Sequence, residues 1–440
     1  MESNLQATFG FCTAAAQQHG RLRHAVTRST LSLSRNCMRS PRRLWTPALL
    51  ALAISTFAHA APAPAALYLG ADLSYVNEME ECGVQYRQNG VVTDPFELFH
   101  AHGANLVRVR LWNDARWTKY SDLSDVKKTI ARARAQGMQV LLDLHYSDDW
   151  ADGEKQLIPK AWASITDTDE LARTLYGFTY DTLSALDRAG LMPELVQVGN
   201  ESNSDLMDST PWDKKRPIDW QRNAKLFNAG IKAVRDMAAR SAIKPRVMLH
   251  IAQPENVEPW FADATKAGVT DFDLIGISYY RKWSTQSMAE LGKTIRRLRG
   301  RYDADVVVVE TAYPWTLDSG DTSHNLLGED SLIPGYPATP QGQARYMVDL
   351  TQLVIDTGGA GVVYWEPAWT SSRCKTRWGT GSSWENASFF DFKHGNEVLP
   401  AIDFMRHPYT GVPAAIKADA RKRHADSQHV PAEAEKRTQP

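Results

Sequence analysis

Eight short apolar runs punctuate the middle of the chain. They are ALYLGADLS (66–74), NLVRVRLW (105–112), MQVLLDLHYS (138–147), ELVQVGNE (194–201), PRVMLHIA (245–252), FDLIGISYY (272–280), ADVVVVETAYPW (304–315) and AGVVYWEPAW (360–369). Each has strand length and is rich in branched or alternating apolar residues. Between them lie segments such as DVKKTIARARAQG (125–137), DELARTLYGFTYDTLSALDRAG (169–190) and QRNAKLFNAGIKAVRDMAARS (221–241). Their apolar residues recur at spacings of three and four, which predicts amphipathic helices, and the first two stop at Gly.

Strand–helix alternation predicts parallel strands covered by helices. Eight such units in one domain, placed at 61–412, predict an α/β fold with a single (β/α)8 TIM barrel. No G-x-G-x-x-G follows the first run and no P-loop is present, which argues against a nucleotide-binding open sheet. Barrel enzymes carry their functional residues at the carboxyl ends of the strands. Here those ends hold Asp72, Arg110, Trp112, Asp143, His145, Asn200, Glu201, His250, Tyr279, Glu310, Trp315, Trp365 and Glu366.

Side-chain parity adds detail. In NLVRVRLW, Leu106, Arg108, Arg110 and Trp112 share one face, opposite Val107, Val109 and Leu111. The all-apolar face should meet the helices, so both arginines point into the barrel, where a buried cation needs an anionic partner. The same alternation groups Gln197 and Gly199 with Glu201, and Val306 and Val308 with Glu310. Glu201 and Glu310 then face one another across the barrel mouth. Two opposed carboxyls suit glycoside hydrolysis, with a separation of about 5–5.5 Å for retention and about 6.5–9.5 Å for inversion. Arg110 and Tyr279 are expected to keep Glu310 ionised, while an apolar wall raises the Glu201 pKa toward that of a working acid. The bland alternative is a structural ion pair between these glutamates and the barrel arginines. Asp143 and His145 read as a hydrogen-bonded pair in the wall rather than as metal ligands.

Composition bounds the partners. The chain has 440 residues, a net charge of −1 and 43% hydrophobic residues, so nothing electrostatic favours nucleic acid or an anionic membrane. Fourteen Trp and fifteen Tyr could fill the core or stack on sugars. Residues 1–60 stand apart. PRRL (41–44), the apolar WTPALLALAISTFAHA (45–60) and the Ala58-His59-Ala60 close form the three parts of a secretory signal. The expected start is Met38 and the expected cleavage follows Ala60, giving a periplasmic or extracellular protein with no membrane segment in its mature form. Residues 413–440 are charged and lack aromatics, so they are predicted to be a disordered tail.

Several stretches resemble glycoside hydrolase family 53, the endo-β-1,4-galactanases of arabinogalactan, within the retaining (β/α)8 enzymes of clan A. They are GADLSYVNEMEECG (70–83), NLVRVRLWND (105–114), LLDLHYSDDWADGEKQLIPKAW (141–162), VQVGNE (196–201), IGISYY (275–280), ETAYPW (310–315) and RWGTGSSWENASFFDF (377–392). The likeness runs from Tyr68 to Phe404. It implies Glu201 as proton donor and base, Glu310 as nucleophile, and Asn200 on the 2-hydroxyl of the sugar before the cut. It further implies Arg110 and Tyr279 as supports of the nucleophile and Trp365 as the floor of the subsite, with Trp315 and Trp112 as the next candidate platforms. The implied substrate is β-1,4-galactan, handled by a monomer with no required cofactor. Another β-1,4 glycan such as mannan, or a catalytically silent glycan-binding barrel, are the alternatives. Some bacterial members hold calcium in the long loop after the seventh strand. Here LDSGDTSHN (317–325) offers Asp318, Asp321, His324 and Asn325 as weak candidates, at spacings unlike an EF-hand. Arg281-Lys282 departs from the family pattern, where Pro and an aromatic are expected. Cys82 and Cys374 follow the first and eighth strands, which are neighbours in a closed barrel, and are predicted to form a disulfide.

Overall fold

The alternating pattern folds into a closed barrel. In the computed structural model, which describes residues 66–412 apart from 211, 212, 214, 215 and 378, eight parallel strands form the wall. They are β1 (Tyr68–Asp72), β2 (Leu106–Leu111), β3 (Gln139–Leu144), β4 (Leu195–Val198), β5 (Arg246–Ala252), β6 (Leu274–Ser278), β7 (Asp305–Glu310) and β8 (Gly361–Tyr364). All eight predicted runs contain one of them. The signal with Met38 and Ala60, and the tail from 413, lie outside the described residues. Closure occurs where β1 pairs with β8, Tyr68 opposite Gly361. Gly361 has φ +147°, and a Cβ there would stand 1.9 Å from the Tyr68 carbonyl oxygen, so only glycine lets the last strand approach the first.

The helices are α1 (Val76–Glu81), α2 (Pro95–Ala101), α3 (Leu123–Ala135), α4 (Thr168–Arg188), α5 (Trp220–Arg240), α6 (Pro254–Lys266), α7 (Met288–Arg301) and α8 (Pro340–Asp356). Six of these eight starts carry side-chain caps, α1 and α6 being the exceptions. Asp122 and Asp167 accept backbone N–H bonds at 2.8 Å, and Ser287 with Glu290 forms a capping box on α7. The barrel interior begins as an apolar plug that includes Tyr68, Leu106, Leu141, Leu195, Met248, Leu274 and Val307. Two residues farther along β2, β3, β4 and β5, the same face presents Arg108, Asp143, Gln197 and His250, all buried. A polar layer thus sits directly on an apolar one.

Two places break the simple alternation. In β7, Val307 and Val309 line the interior while Val306 and Val308 pack against the helices, the reverse of the phase read from sequence. The pairing of β6 with β7 skips Val309, running from Ile277–Val308 to Ser278–Glu310. This β-bulge adds one residue and turns Glu310 back into the barrel. In β4 the pleat ends at Val198. Gly199 then adopts φ +84° and Glu201 φ +41°, so a tight turn rather than strand parity aims Glu201.

Cys82, just after α1, is bonded to Cys374 in the loop after β8, with Cα atoms 5.4 Å apart. The bond ties together chain segments 292 residues apart. Replacing both cysteines with serine is expected to lower the unfolding free energy by about 2–4 kcal/mol. Thermal and urea unfolding check this, and midpoints equal to those of the parent would show that the bond adds nothing.

Candidate active site

Arg108 is the centre of the polar layer. Its guanidinium donates to Asp72 at 2.9 Å, Asp143 at 2.8 Å and Asn200 Oδ1 at 2.7 Å, and its Nη2 lies 2.8 Å from Glu310 Oε1. Burial works against its charge, yet Asp143, Glu310 and Asp72 hold its pKa above the ordinary arginine value. Glu310 is therefore met by Arg108 at one oxygen. At the other, the Tyr280 hydroxyl donates at 3.1 Å.

Glu201 sits nearby in a different setting. Oxygens of Glu201 and Glu310 and a ring nitrogen of His250 all lie within 4.8 Å of one another. Glu201 accepts from the Gly153 N–H at 3.3 Å and from the Ser278 hydroxyl. Ser278 in turn meets His250 at 2.8 Å, and His250 also contacts Asn200 Oδ1 at 2.9 Å. Among the described residues no Lys or Arg is within ion-pair distance of Glu201. Burial pushes the Glu201 carboxyl up to about 7, with the Ser278 hydroxyl pulling the other way. Burial also pushes Glu310 up to about 8, against Arg108 and with the Glu201 charge adding to the rise. Two buried carboxyls this close keep one proton between them at neutral pH. We place that proton on Glu201 on geometric grounds: Arg108 and Tyr280 both address Glu310 as an anion, and among the described residues no Lys or Arg pairs with Glu201.

The remaining predicted residues fall into three groups. Asp143 and His145 form the expected wall pair at 2.9 Å. The Ala151 N–H donates to His145 Nδ1 at 3.1 Å, so the neutral ring donates from Nε2, and burial keeps its pKa low. Asn200 is buried, donating to the Ala151 carbonyl at 2.8 Å and accepting from Arg108 and from Gln197 at 3.0 Å. Trp365 is half-buried, 5.8 Å from the Trp150 ring and 4.7 Å from Trp384.

Other positions need correction. Arg110 does not reach Glu310. It pairs with Glu366 at 3.1 Å and lies against the rings of Tyr75, Trp112 and Trp150 at 4.8, 4.7 and 4.2 Å. It is two residues farther out than Arg108, and that offset hands it to β8 instead. Tyr279 shares the helix-facing side of β6 with Ile275 and Ile277, and its hydroxyl donates to the Gln286 carbonyl at 3.2 Å. Leu274, Ser278 and Tyr280 share the inward side, so parity along β6 would have named Tyr280. Trp315 is buried, its indole N–H donating to the Glu385 carbonyl at 3.2 Å, and Trp112 is buried against Arg110. Neither offers an open face.

The four loop candidates for calcium do not converge. Asp318 pairs with Lys393 at 2.5 Å, and His324 is exposed. Asp321 and Asn325 instead meet Glu385, which the sequence reading did not include. Glu385 Oε2 and Asn325 Oδ1 are buried without a partner among the described residues, and such oxygens, with Asp321, fit a hard cation such as calcium.

Chemically, two carboxyls within 4.8 Å, one of them met by a guanidinium, can supply a proton and an anionic oxygen to one bond. Residues 68–405 match the family described as Glycosyl hydrolase family 53. The chain is 55% identical over 342 residues to the arabinogalactan endo-beta-1,4-galactanase of Cellvibrio japonicus, covering 78% of this chain and 91% of that protein. It is 33% identical over 392 residues to the endo-beta-1,4-galactanase of Bacillus subtilis, covering 82% and 86%. Among solved structures, the GH53 catalytic domain of Ignisphaera aggregans superposes with a TM-score of 0.71 at 32% identity, covering 79% of this chain and 97% of that domain. The matched residues span the whole barrel, and the chain belongs to glycosyl hydrolase family 53.

Proposed function

We propose that this protein is a retaining endo-β-1,4-galactanase that cuts internal bonds of galactan in type I arabinogalactan. The observation that carries the mechanism is the placement of Glu201 and Glu310, with oxygens within 4.8 Å and a guanidinium on Glu310 alone. In the first step a Glu310 oxygen attacks the anomeric carbon while Glu201 gives its proton to the departing glycosidic oxygen. The C–O bond breaks as the glycosyl ester forms. In the second step water takes the place of the leaving sugar. Glu201, now a carboxylate, accepts its proton, and the new C–O bond displaces Glu310. Arg108 and Tyr280 favour Glu310 as the anion before attack and as the leaving group after it. The galactose specificity is supported by the two named galactanase relatives. Export is the setting we propose, since residues 38–60 read as a signal and a disulfide suits an oxidising compartment.

Glu201→Gln and Glu310→Gln are each expected to lower kcat on galactan by about 10²- to 10⁴-fold or more. A variant that keeps more than a few per cent of the activity removes that residue from the scheme. Proton NMR early in the reaction should show the β-anomer, and an initial α-product would replace retention with inversion. Reducing-sugar release should be strong on galactan and weak on mannan and xylan.

The pH profile tests the proton assignment. Glu201 must be protonated, so activity falls as pH rises through its pKa, raised by burial to about 7. In Glu201→Gln, assayed with a dinitrophenyl galactoside that needs no acid, that alkaline limb should vanish. Glu310 must be ionised while Glu201 keeps the pair's one proton, so activity falls as pH drops and the pair takes up its second proton. Arg108→Lys weakens the hold on the anion and is expected to move the acidic limb upward while lowering kcat. Arg110→Lys should leave that limb in place. A shift with Arg110→Lys and none with Arg108→Lys would reverse the assignment.

A further inference from the structure

The loop after β3 and the turn after β4 leave paired strands side by side, with Leu144 opposite Val198. One side chain ties the two segments together. Gln156 is buried, and its amide nitrogen donates to the Asn200 carbonyl at 2.8 Å, the Asp152 carbonyl at 2.9 Å and the Glu201 carbonyl at 3.2 Å. Its amide oxygen has no partner among the described residues. Only the nitrogen end of an amide can face three carbonyl oxygens, so the orientation of the group is fixed.

The same loop reaches the other end of Glu201. Asp152 and Lys155 exchange backbone hydrogen bonds at 2.8 and 3.1 Å, closing a tight turn. That turn presents the Gly153 N–H to the Glu201 carboxyl at 3.3 Å. The residue before it, Ala151, accepts from the Asn200 side chain at 2.8 Å. One short segment therefore grips Glu201 twice, at its backbone carbonyl through Gln156 and at its carboxyl through Gly153.

The grip matters because the backbone at Glu201 is held away from its preferred conformation. Its φ is +41°, following Gly199 at +84°. The cost of a left-handed glutamate is of the same order as the return from two hydrogen bonds to the carbonyls of such a turn. Without Gln156 the turn can relax toward the extended path of a strand end. The Cβ of Glu201 follows the backbone, and the carboxyl follows the Cβ. Misplacing a reacting group by about 1 Å can cost about 10²-fold in rate. Glu310 takes its hold from other elements, Arg108 on β2 and Tyr280 beyond β6.

We propose that Gln156 is the positioning residue of the acid. Its amide keeps the turn after β4 in the conformation that aims the Glu201 carboxyl at the glycosidic oxygen, and it acts on proton transfer rather than on nucleophilic attack. The proposal rests on Glu201 being the proton donor of the reaction, and it adds the group that holds that donor in place.

The test compares two substrates by kcat/KM, which reads the enzyme up to the first chemical step. One is β-1,4-galactotetraose, whose sugar leaving group needs a proton. The other is dinitrophenyl β-galactobioside, whose phenolate leaves without one. Gln156→Met keeps the length of the side chain and removes its donors. It should lower kcat/KM on the tetraose by about 10- to 100-fold, and on the aryl glycoside by about threefold or less. In the Glu201→Gln background the same substitution should cost less than about twofold more on the tetraose, because the proton it serves is already gone. Gln156→Asn keeps the amide but ends one methylene short of the turn. It should give the same pattern, and it decides the matter if the methionine variant does not fold, which thermal unfolding shows. Equal losses on the two substrates, or a full further loss in the Glu201→Gln background, would mean a general structural role and overturn the proposal. Parent-like rates on the tetraose in both Gln156 variants would overturn it as well. If Glu201→Gln itself loses equally on the two substrates, the acid assignment falls first, and this proposal with it.

Discussion

One buried guanidinium organises this molecule. Arg108 lies at the level where the apolar plug gives way to the open mouth, and three carboxyl groups face it. A buried arginine is tolerable only with such partners, and each partner is tolerable only with the arginine. The arrangement is short of positive charge, since one cation serves Asp72, Asp143 and Glu310. Glu201 stands beside this cluster as a fourth carboxyl with no cation of its own. Its ionisation would add like charge in a dry place, so it keeps a proton where an exposed glutamate would not. In the proposed mechanism, the difference between the nucleophile and the acid is set by which of two neighbouring glutamates Arg108 can touch.

The fold that makes this possible was largely legible in the chain. Eight apolar runs with helices between them leave little choice of architecture, and the period of two placed Arg108 and Gln197 inside. Regular strands transmit parity faithfully because every residue from plug to rim alternates. The cysteine pair was also readable, since a closed barrel makes the first and last strands neighbours.

The site was less legible where the backbone leaves its regular path. A bulge at Val309 changes the phase of β7 one residue before Glu310, so that residue faces inward even though the run before it was assigned to the wrong face. No pattern of Val residues signals such a slip. Tyr279 and Tyr280 are chemically identical neighbours, and only the phase counted from Leu274 separates them. Arg108 and Arg110 share a face and differ only in depth, one step of the pleat apart, which decides between Glu310 and Glu366. Loop residues such as Asp318 and Glu385 carry no periodicity at all, so their partners emerge only when the loops after β7 and β8 meet.

Two strained residues show how rigidly the mouth is held. Glu201 and Glu366 both adopt left-handed backbone conformations, φ +41° and +50°, at the ends of β4 and β8. Such conformations cost about 1–3 kcal/mol each and persist only where the surroundings over-determine them. Glu366 is fixed by Arg110 and by the Tyr75 N–H at 3.2 Å. Around Glu201, the Gln156 amide donates to the carbonyls of Asn200 at 2.8 Å and Glu201 at 3.2 Å, while Gly153 and Ser278 hold the carboxyl. Each strained turn anchors one half of the cleft. Glu366 holds Arg110, against which Trp150 and Trp112 lie, and so fixes the aromatic wall at the end of β8. At the end of β4 the turn at Glu201 aims its carboxyl at the Arg108 cluster's edge, beside Glu310. The strain is thus spent at the two turns where a side chain must leave the direction its strand would give it, and in the proposed mechanism one of those side chains is the proton donor.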